Sequence, residues 1–188
     1  RGGGHPHRRA RWEPAKVLIT GAGPIGLLAA LLSVQRGLET HVLDRVTDGV
    51  KPELVAELGG TYHHGSMEDA AAQTDVLVEC TGVAQLVLDA MCHNSPNGIV
   101  CLTGVSSGGR SFDVDAGQLN RAMVLENDVV FGSVNANRRH YELGAEALAK
   151  ADLGWLAKLI TRRVPLDQWQ DAYVRQPGDV KAVLDFKR

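Results

Sequence analysis

One stretch of sixteen residues, Val17 to Leu32 (VLITGAGPIGLLAALL), limits what this chain can fold into more than any other. Three apolar residues, Val17 to Ile19, run into Gly21-Ala22-Gly23-Pro24-Ile25-Gly26, and an apolar pattern then continues at helical spacing. Strand, glycine turn and helix in that order make the phosphate-binding end of a βαβ unit. Each position has its chemical reason. Gly21 takes the tight turn off the strand, Gly23 leaves the backbone open to a pyrophosphate, and Gly26 lets the helix approach the strand. Pro24, followed by Ile25, falls in the first helical turn, where its missing N–H costs nothing. The phosphates are expected over the unpaired N–H groups at the positive end of that helix.

Such a unit also needs an acid about 20 residues further on, at the end of its second strand, to hold the ribose hydroxyls. Thr40-His41-Val42-Leu43-Asp44 supplies Asp44. Arg45 follows directly and is either a clamp for a 2′-phosphate or a solvated surface charge. Lys51 ranks below it for that role.

Strand and helix keep alternating. Lys51 to Leu58 reads as a helix closed by Gly59-Gly60, Thr61-Tyr62 as a third strand, and Glu68 to Gln73 as a short helical piece. Asp75 to Glu79 is a buried-type strand, Ala84 to Met91 a helix, and Ile99 to Leu102 a fifth strand after the turn Asn97-Gly98. Asp115 to Glu126 reads as a helix and Asp128 to Gly132 as a sixth strand. Six strands with crossovers predict an α/β fold, a doubly wound parallel sheet of the Rossmann kind. Ligands on such sheets lie at the carboxyl ends of the strands. The loops 21–26, 44–48, 81–82, 103–109 and 133–139 are therefore the candidate site.

The ends read differently. Residues 1–14 (RGGGHPHRRARWEP) have no apolar period and are expected to be a linker or tail, with Trp12 packing on the domain edge. The nucleotide-binding domain is placed at 15–139. Residues 140–188 are an α+β tail: an alanine-rich helix from His140, a second helix over 155–161, an extended piece at 163–166, and a helix over 168–174 capped by Asp167. A last strand covers 181–186. Trp155, Leu156, Leu159, Ile160, Leu166, Trp169 and Tyr173 have no evident place on the sheet.

A net charge of -2 gives no electrostatic reason to expect a nucleic-acid or anionic-membrane partner. The longest apolar run, Ile25 to Leu32, is far short of the ~20 residues that span a bilayer. Cys80, Cys92 and Cys101, odd in number and in apolar or helical surroundings, fit buried free thiols in a reducing, cytoplasmic setting. His5 and His7 in the tail, and His63-His64 on an expected loop, lack the spacing of metal ligands. No metal site and no catalytic residue is assigned to this chain.

GAGPIG after a short strand, VLVECTG at the fourth strand and the ending VPLDQWQDAY…GDVKAVLDF resemble the medium-chain dehydrogenases, the zinc alcohol dehydrogenase superfamily. Within it, FGSVNANRRHYELG at 131–144 resembles the glucose 1-dehydrogenase branch. The resemblance spans about Arg11 to Phe186 and implies the cofactor-binding half of an NAD(P)-dependent aldose dehydrogenase. In that family a preceding GroES-like domain supplies the zinc ligands and much of the sugar site, and none of the 188 residues matches it. The tail would return to that domain, and a homo-oligomer is expected. Under the same resemblance Thr81-Gly82 and Thr103-Gly104-Val105 pass beneath the cofactor, and Asn135 contacts nicotinamide or sugar through a carboxamide that both donates and accepts. Asn137 and His140 are read as loop and helix-start residues. Asp44 favours NAD and Arg45 keeps NADP open. A dehydrogenase for another polyol or alcohol, or a non-catalytic NAD(P)-binding module, are the alternatives.

Overall fold

The apolar run Val17 to Ile19 lies where its composition requires, inside a sheet covered on both faces. The computed structural model describes residues 12–109 and 111–187. Most of the expected tail, with His5 and His7, lies outside the described residues. Along the described chain come β1 (Lys16–Thr20), α1 (Pro24–Gln35), β2 (Glu39–Leu43), α2 (Val50–Glu57), β3 (Thr61–His63) and α3 (Met67–Ala70). They are followed by β4 (Val76–Glu79), α4 (Ala84–Cys92), β5 (Ile99–Leu102), α5 (Ala116–Glu126) and β6 (Val129–Gly132). These six strands form one sheet in the order β3-β2-β1-β4-β5-β6, every neighbouring pair parallel. The order reverses between β1 and β4, and the crevice of a doubly wound sheet opens at that point.

Alternation along the strands sorts the core into two layers. Val17 and Ile19 face Leu27, Ala30, Val42 and Leu54 on one side, while Leu18 faces Leu77, Ala90 and Val100 on the other. With both faces covered, nearly unbroken apolar strands are what a parallel sheet needs. Helix starts follow the side chains available: Ser66 caps α3 by accepting from the Asp69 N–H, and Asp115 caps α5 by accepting from the Gln118 N–H. The short helix therefore runs Met67–Ala70, earlier than the pattern over 68–73 suggests. Trp12 does reach the domain edge, donating from Nε1 to the Asn97 carbonyl at 3.1 Å.

Past β6 the chain forms α6 (Arg138–Ala149), α7 (Leu153–Lys158), β7 (Ile160–Pro165), a 3-10 helix (Leu166–Tyr173) and β8 (Lys181–Asp185). β7 and β8 pair in parallel as a separate two-stranded sheet. Arg162 clasps this unit. Its guanidinium binds Asp179 at 2.7 Å and donates to the carbonyls of Asp171 and Val174, both at 2.8 Å.

Four expectations are corrected. Trp155 and Leu159 do have a place on the sheet domain: both are buried in the core of Val17 and Leu54, and Trp155 Nε1 donates to the Leu54 carbonyl at 2.9 Å. Helical spacing alone could not show that α7 returns to α2, about a hundred residues earlier in the chain. Asp167 caps nothing, because Pro165 precedes a 3-10 helix without a side-chain cap. His63 lies within β3 rather than on a loop, stacked on His41 with Nδ1 of His41 and Nε2 of His63 2.7 Å apart. Cys92 is exposed at the end of α4, not buried. No helix among the described residues is long and apolar enough to cross a membrane.

Candidate dinucleotide site

The glycine turn is closed by backbone packing. Gly21 has φ +90°, open to glycine at little cost, and its N–H donates to the Leu43 carbonyl at 2.7 Å, tying the turn to the end of β2. A Cβ on Gly26 would collide with the Gly21 carbonyl oxygen. A Cβ on Gly23 would meet nothing within 4 Å. The two glycines thus have different reasons: Gly26 is required by the fold, while Gly23 borders open space at the start of α1, where a pyrophosphate would lie. Pro24 opens α1, and Ile25 beside it is exposed.

Asp44 stands at the end of β2 against this turn. Its Oδ2 accepts from the Ala22 N–H at 2.7 Å and from Lys51 Nζ at 3.1 Å, and its Oδ1 from the Val46 N–H at 3.1 Å. Burial raises the pKa of Asp44, but the N–H donors of Val46 and Ala22 and the Lys51 charge outweigh it, so the carboxyl is held below its ordinary value. Tyr62 closes the corner, donating to the Val46 carbonyl at 2.7 Å, with its phenol pushed well up by burial and by the Asp44 charge. Arg45 points to solvent and has no ion-pair partner among the described residues.

A carboxyl with a lower pKa in the folded than in the unfolded chain makes the unfolded state bind more protons, so its stabilisation is full above the unfolded value. It is lost as pH falls through the folded value. Urea unfolding should therefore show stability dropping below about pH 4, the ordinary aspartate value, and Asp44→Asn should flatten that drop. An unchanged slope in the variant would mean that other carboxylates carry it.

At the ends of β4 and β5 the sheet holds a fully buried acid, Glu79. Its carboxylate accepts from the N–H of Thr81 at 2.7 Å and of Gly82 at 3.2 Å, and from the hydroxyls of Thr81 and of Thr20, the latter at 3.3 Å. Its carbonyl takes the N–H groups of Thr103 at 2.8 Å and Gly104 at 3.0 Å, and the Thr103 hydroxyl at 2.8 Å. One residue thus ties together the ends of β1, β4 and β5 at the point where the strand order reverses. Gly104 presses so closely that a Cβ there would collide with the Gly82 nitrogen. Cys80 beside it is a thiol pushed up to about 11, chiefly by burial.

Above these loops opens a cleft of about 460 Å³ lined by Thr81, Gly82, Val83, Val105, Ser107 and Phe112 among others. Val105 is 82% exposed. A second hollow, of about 290 Å³ between Leu31, Leu58 and Trp155, lies on helices away from the strand ends. The structure therefore brings the expected residues into two groups: Gly21, Gly23, Pro24, Ile25, Gly26, Asp44 and Arg45 at β1 and β2, and Thr81, Gly82, Thr103, Gly104 and Val105 at β4 and β5. Asn135 lies on the exposed stretch between β6 and α6, at the carboxyl end of the strand next to β5. Asn137 caps α6, accepting from the His140 N–H at 3.0 Å. Sequence reasoning passed over Glu79 and Phe112 and undervalued Lys51. Among the described residues no group of three or more His, Cys, Asp or Glu side chains is placed to hold a metal ion.

Glucose 1-dehydrogenase 2 of Vulcanisaeta moutnovskia is 40% identical over 182 residues, which are 95% of this chain and 52% of that protein. Glucose 1-dehydrogenase 1 of Caldivirga maquilingensis is 41% identical over the same shares. Among solved structures, Haloferax mediterranei glucose dehydrogenase in complex with NADP, Zn and gluconolactone superimposes with a TM-score of 0.83 at 29% identity, covering 94% of this chain and 52% of that one. An alcohol dehydrogenase of Thermotoga maritima shares the fold at a TM-score of 0.76 and 21% identity. The chain spans about half the length of the curated relatives it matches. The sequence model described as glucose dehydrogenase C-terminus matches residues 5–186. With strand order, glycine turn and relatives in agreement, the chain belongs to the glucose dehydrogenase C-terminal family.

Proposed function

We propose that this chain is the cofactor-binding half of an NAD(P)-dependent aldose 1-dehydrogenase, with residues 15–139 as the nucleotide-binding domain and 140–188 as a segment returning to a catalytic domain. The observation that carries the reading is the crevice between β1 and β4, where Gly23 borders open space and Asp44 is fixed against the same turn. The comparison with an NADP-bound glucose dehydrogenase supports it. In this reading the Gly21–Gly26 turn binds the pyrophosphate and Asp44 accepts a ribose hydroxyl. Thr81-Gly82 and Thr103-Gly104-Val105 floor the nicotinamide end, and Val83, Val105 and Phe112 keep water from its face. When bound, the nicotinamide supplies the hydride acceptor for C1 of the sugar. Asn135 orients a hydroxyl of the sugar or the carboxamide of the cofactor. In this reading a polarising metal would come from a catalytic domain outside residues 15–139.

Further parts of the reading rest on exposed features. β6 is an edge strand with Val129 and Phe131 open to solvent, which supports a homo-oligomer. Free thiols at Cys80, Cys92 and Cys101 support a cytoplasmic setting.

Calorimetry on the 188-residue chain should show one dinucleotide bound per chain, and the same preparation should oxidise no glucose. Absence of binding to either NAD or NADP would sink the reading. Glucose turnover by this chain on its own would overturn the division of labour between the two halves.

A further inference from the structure

A carboxylate at the end of the second strand ordinarily grips both ribose hydroxyls and repels a 2′-phosphate. Asp44 is not free to do that. Two acceptor sites on Oδ2 are filled by the Ala22 N–H and Lys51 Nζ, and one on Oδ1 by the Val46 N–H. A single acceptor position is left, enough for one hydroxyl but not for the paired grip. Nor can the carboxylate swing outward, because the Tyr62 hydroxyl pins the Val46 carbonyl and with it the loop whose N–H Asp44 accepts.

The charge at this corner is altered as well. Lys51 is 4% exposed and the Asp44 side chain 10%, so the pair is little screened by solvent or salt and its charges cancel locally. Asp48, on the same loop, is exposed and solvated. What then faces a ligand is Arg45, exposed and without an ion-pair partner among the described residues. A guanidinium so placed suits a bidentate phosphate contact.

We propose that Lys51 is a specificity-determining positioning residue: paired with Asp44, it cancels the repulsion that this acid would exert and lets the site accept a 2′-phosphorylated dinucleotide. The inference rests on the dinucleotide reading above and states which cofactor the same corner favours. Lys51 acts through Asp44, so its effect lies in the ratio of the two affinities rather than in binding as such.

The test is calorimetry with NADP and NAD on the wild type, Lys51→Met, Lys51→Arg and the double variant Lys51→Met with Asp44→Asn. Lys51→Met should weaken NADP about tenfold while moving NAD less than about threefold, the size of one uncompensated charge near a phosphate. Lys51→Arg should keep the wild-type ratio. The double variant should restore it, since no carboxylate is left to neutralise. Equal losses for both cofactors, or a ratio not restored in the double variant, would overturn the proposal while leaving the dinucleotide reading in place. Wild-type protein that binds neither cofactor would overturn the reading itself. If Lys51→Met does not fold, Asp44→Asn alone decides: with Lys51 released, the preference for NADP should rise about tenfold by the same charge argument, and an unchanged ratio overturns the proposal.

Discussion

Replacing Gly26 with alanine is expected to destabilise the fold by about 3 kcal/mol and to abolish dinucleotide binding, whereas alanine at Gly23 should remove binding alone. The difference lies in what each new methyl group meets. At position 26 it would collide with a backbone carbonyl, that of Gly21, in a turn already fixed by the bond from Gly21 N–H to Leu43. Backbone cannot move aside as a flexible side-chain end can, so either α1 shifts away from β1 or the turn opens. In a chain of this size the loss corresponds to a fall in melting temperature of roughly 6–12 °C. At position 23 the backbone is extended, with φ -86° and ψ -175°, a conformation that alanine adopts freely. Its methyl group would stand in the open space beside Gly23, where the proposed site puts the phosphates. Thermal unfolding together with calorimetry separates the cases. Gly26→Ala protein melting like the wild type would show that α1 is not pressed onto the turn, and Gly23→Ala protein binding normally would show that the pyrophosphate runs elsewhere.

The second large effect is expected at Glu79. Alanine there leaves the N–H groups of Thr81 and Gly82 without their acceptor beneath the cleft, at about 1–3 kcal/mol each, for a total of about 2–6 kcal/mol. Glutamine is the sharper probe because its shape is conserved. All the donors around the native carboxylate reach Oε1, so a glutamine oxygen there keeps them, while the amide nitrogen in the place of Oε2 sets its own N–H groups against the Gly82 N–H 3.2 Å away. Urea unfolding at neutral pH should rank wild type above Glu79→Gln above Glu79→Ala. Dinucleotide affinity should fall in the same order, since the side chain anchors the loop 81–82, while the bonds from Thr103 and Gly104 to the Glu79 backbone carbonyl persist in both variants. Glu79→Ala protein within about 1 kcal/mol of wild type would mean that water replaces the carboxylate at no greater cost than a typical hydrogen bond, and the anchoring role would be lost.

Why Glu79 was not legible beforehand is instructive. In sequence it closes an apolar strand and looks like one more acid at a strand end, solvated as such acids usually are. Its partners come from Thr20, 59 residues earlier, and from a loop whose path depends on Gly82 at φ +66°. Only the side-by-side placement of β1 and β4 brings them together. Lys51 was obscure for a related reason: its meaning depends on α2 starting at Val50, so that its ammonium turns back to Asp44. The glycine turn and the six strands were readable because their signals are local, an apolar run against a turn, repeated along the chain. The tail was half readable. Its elements have local patterns, but whether Trp155 faces solvent or the sheet is decided by Leu54, far away in sequence.

The seat of Trp155 also gives the protein an optical reporter of its own. Of the three tryptophans in the chain, Trp155 is 5% exposed and bonded to the Leu54 carbonyl, while Trp12 and Trp169 are 45% and 48% exposed. An indole in a dry pocket emits at shorter wavelength than one in water and is shielded from quenchers dissolved around it. The blue, quencher-resistant part of the emission therefore belongs to the contact between α7 and α2. Any event that lifts α7 from α2 shifts that component to the red, so undocking of the C-terminal segment can be followed separately from melting of the sheet, without attaching a dye.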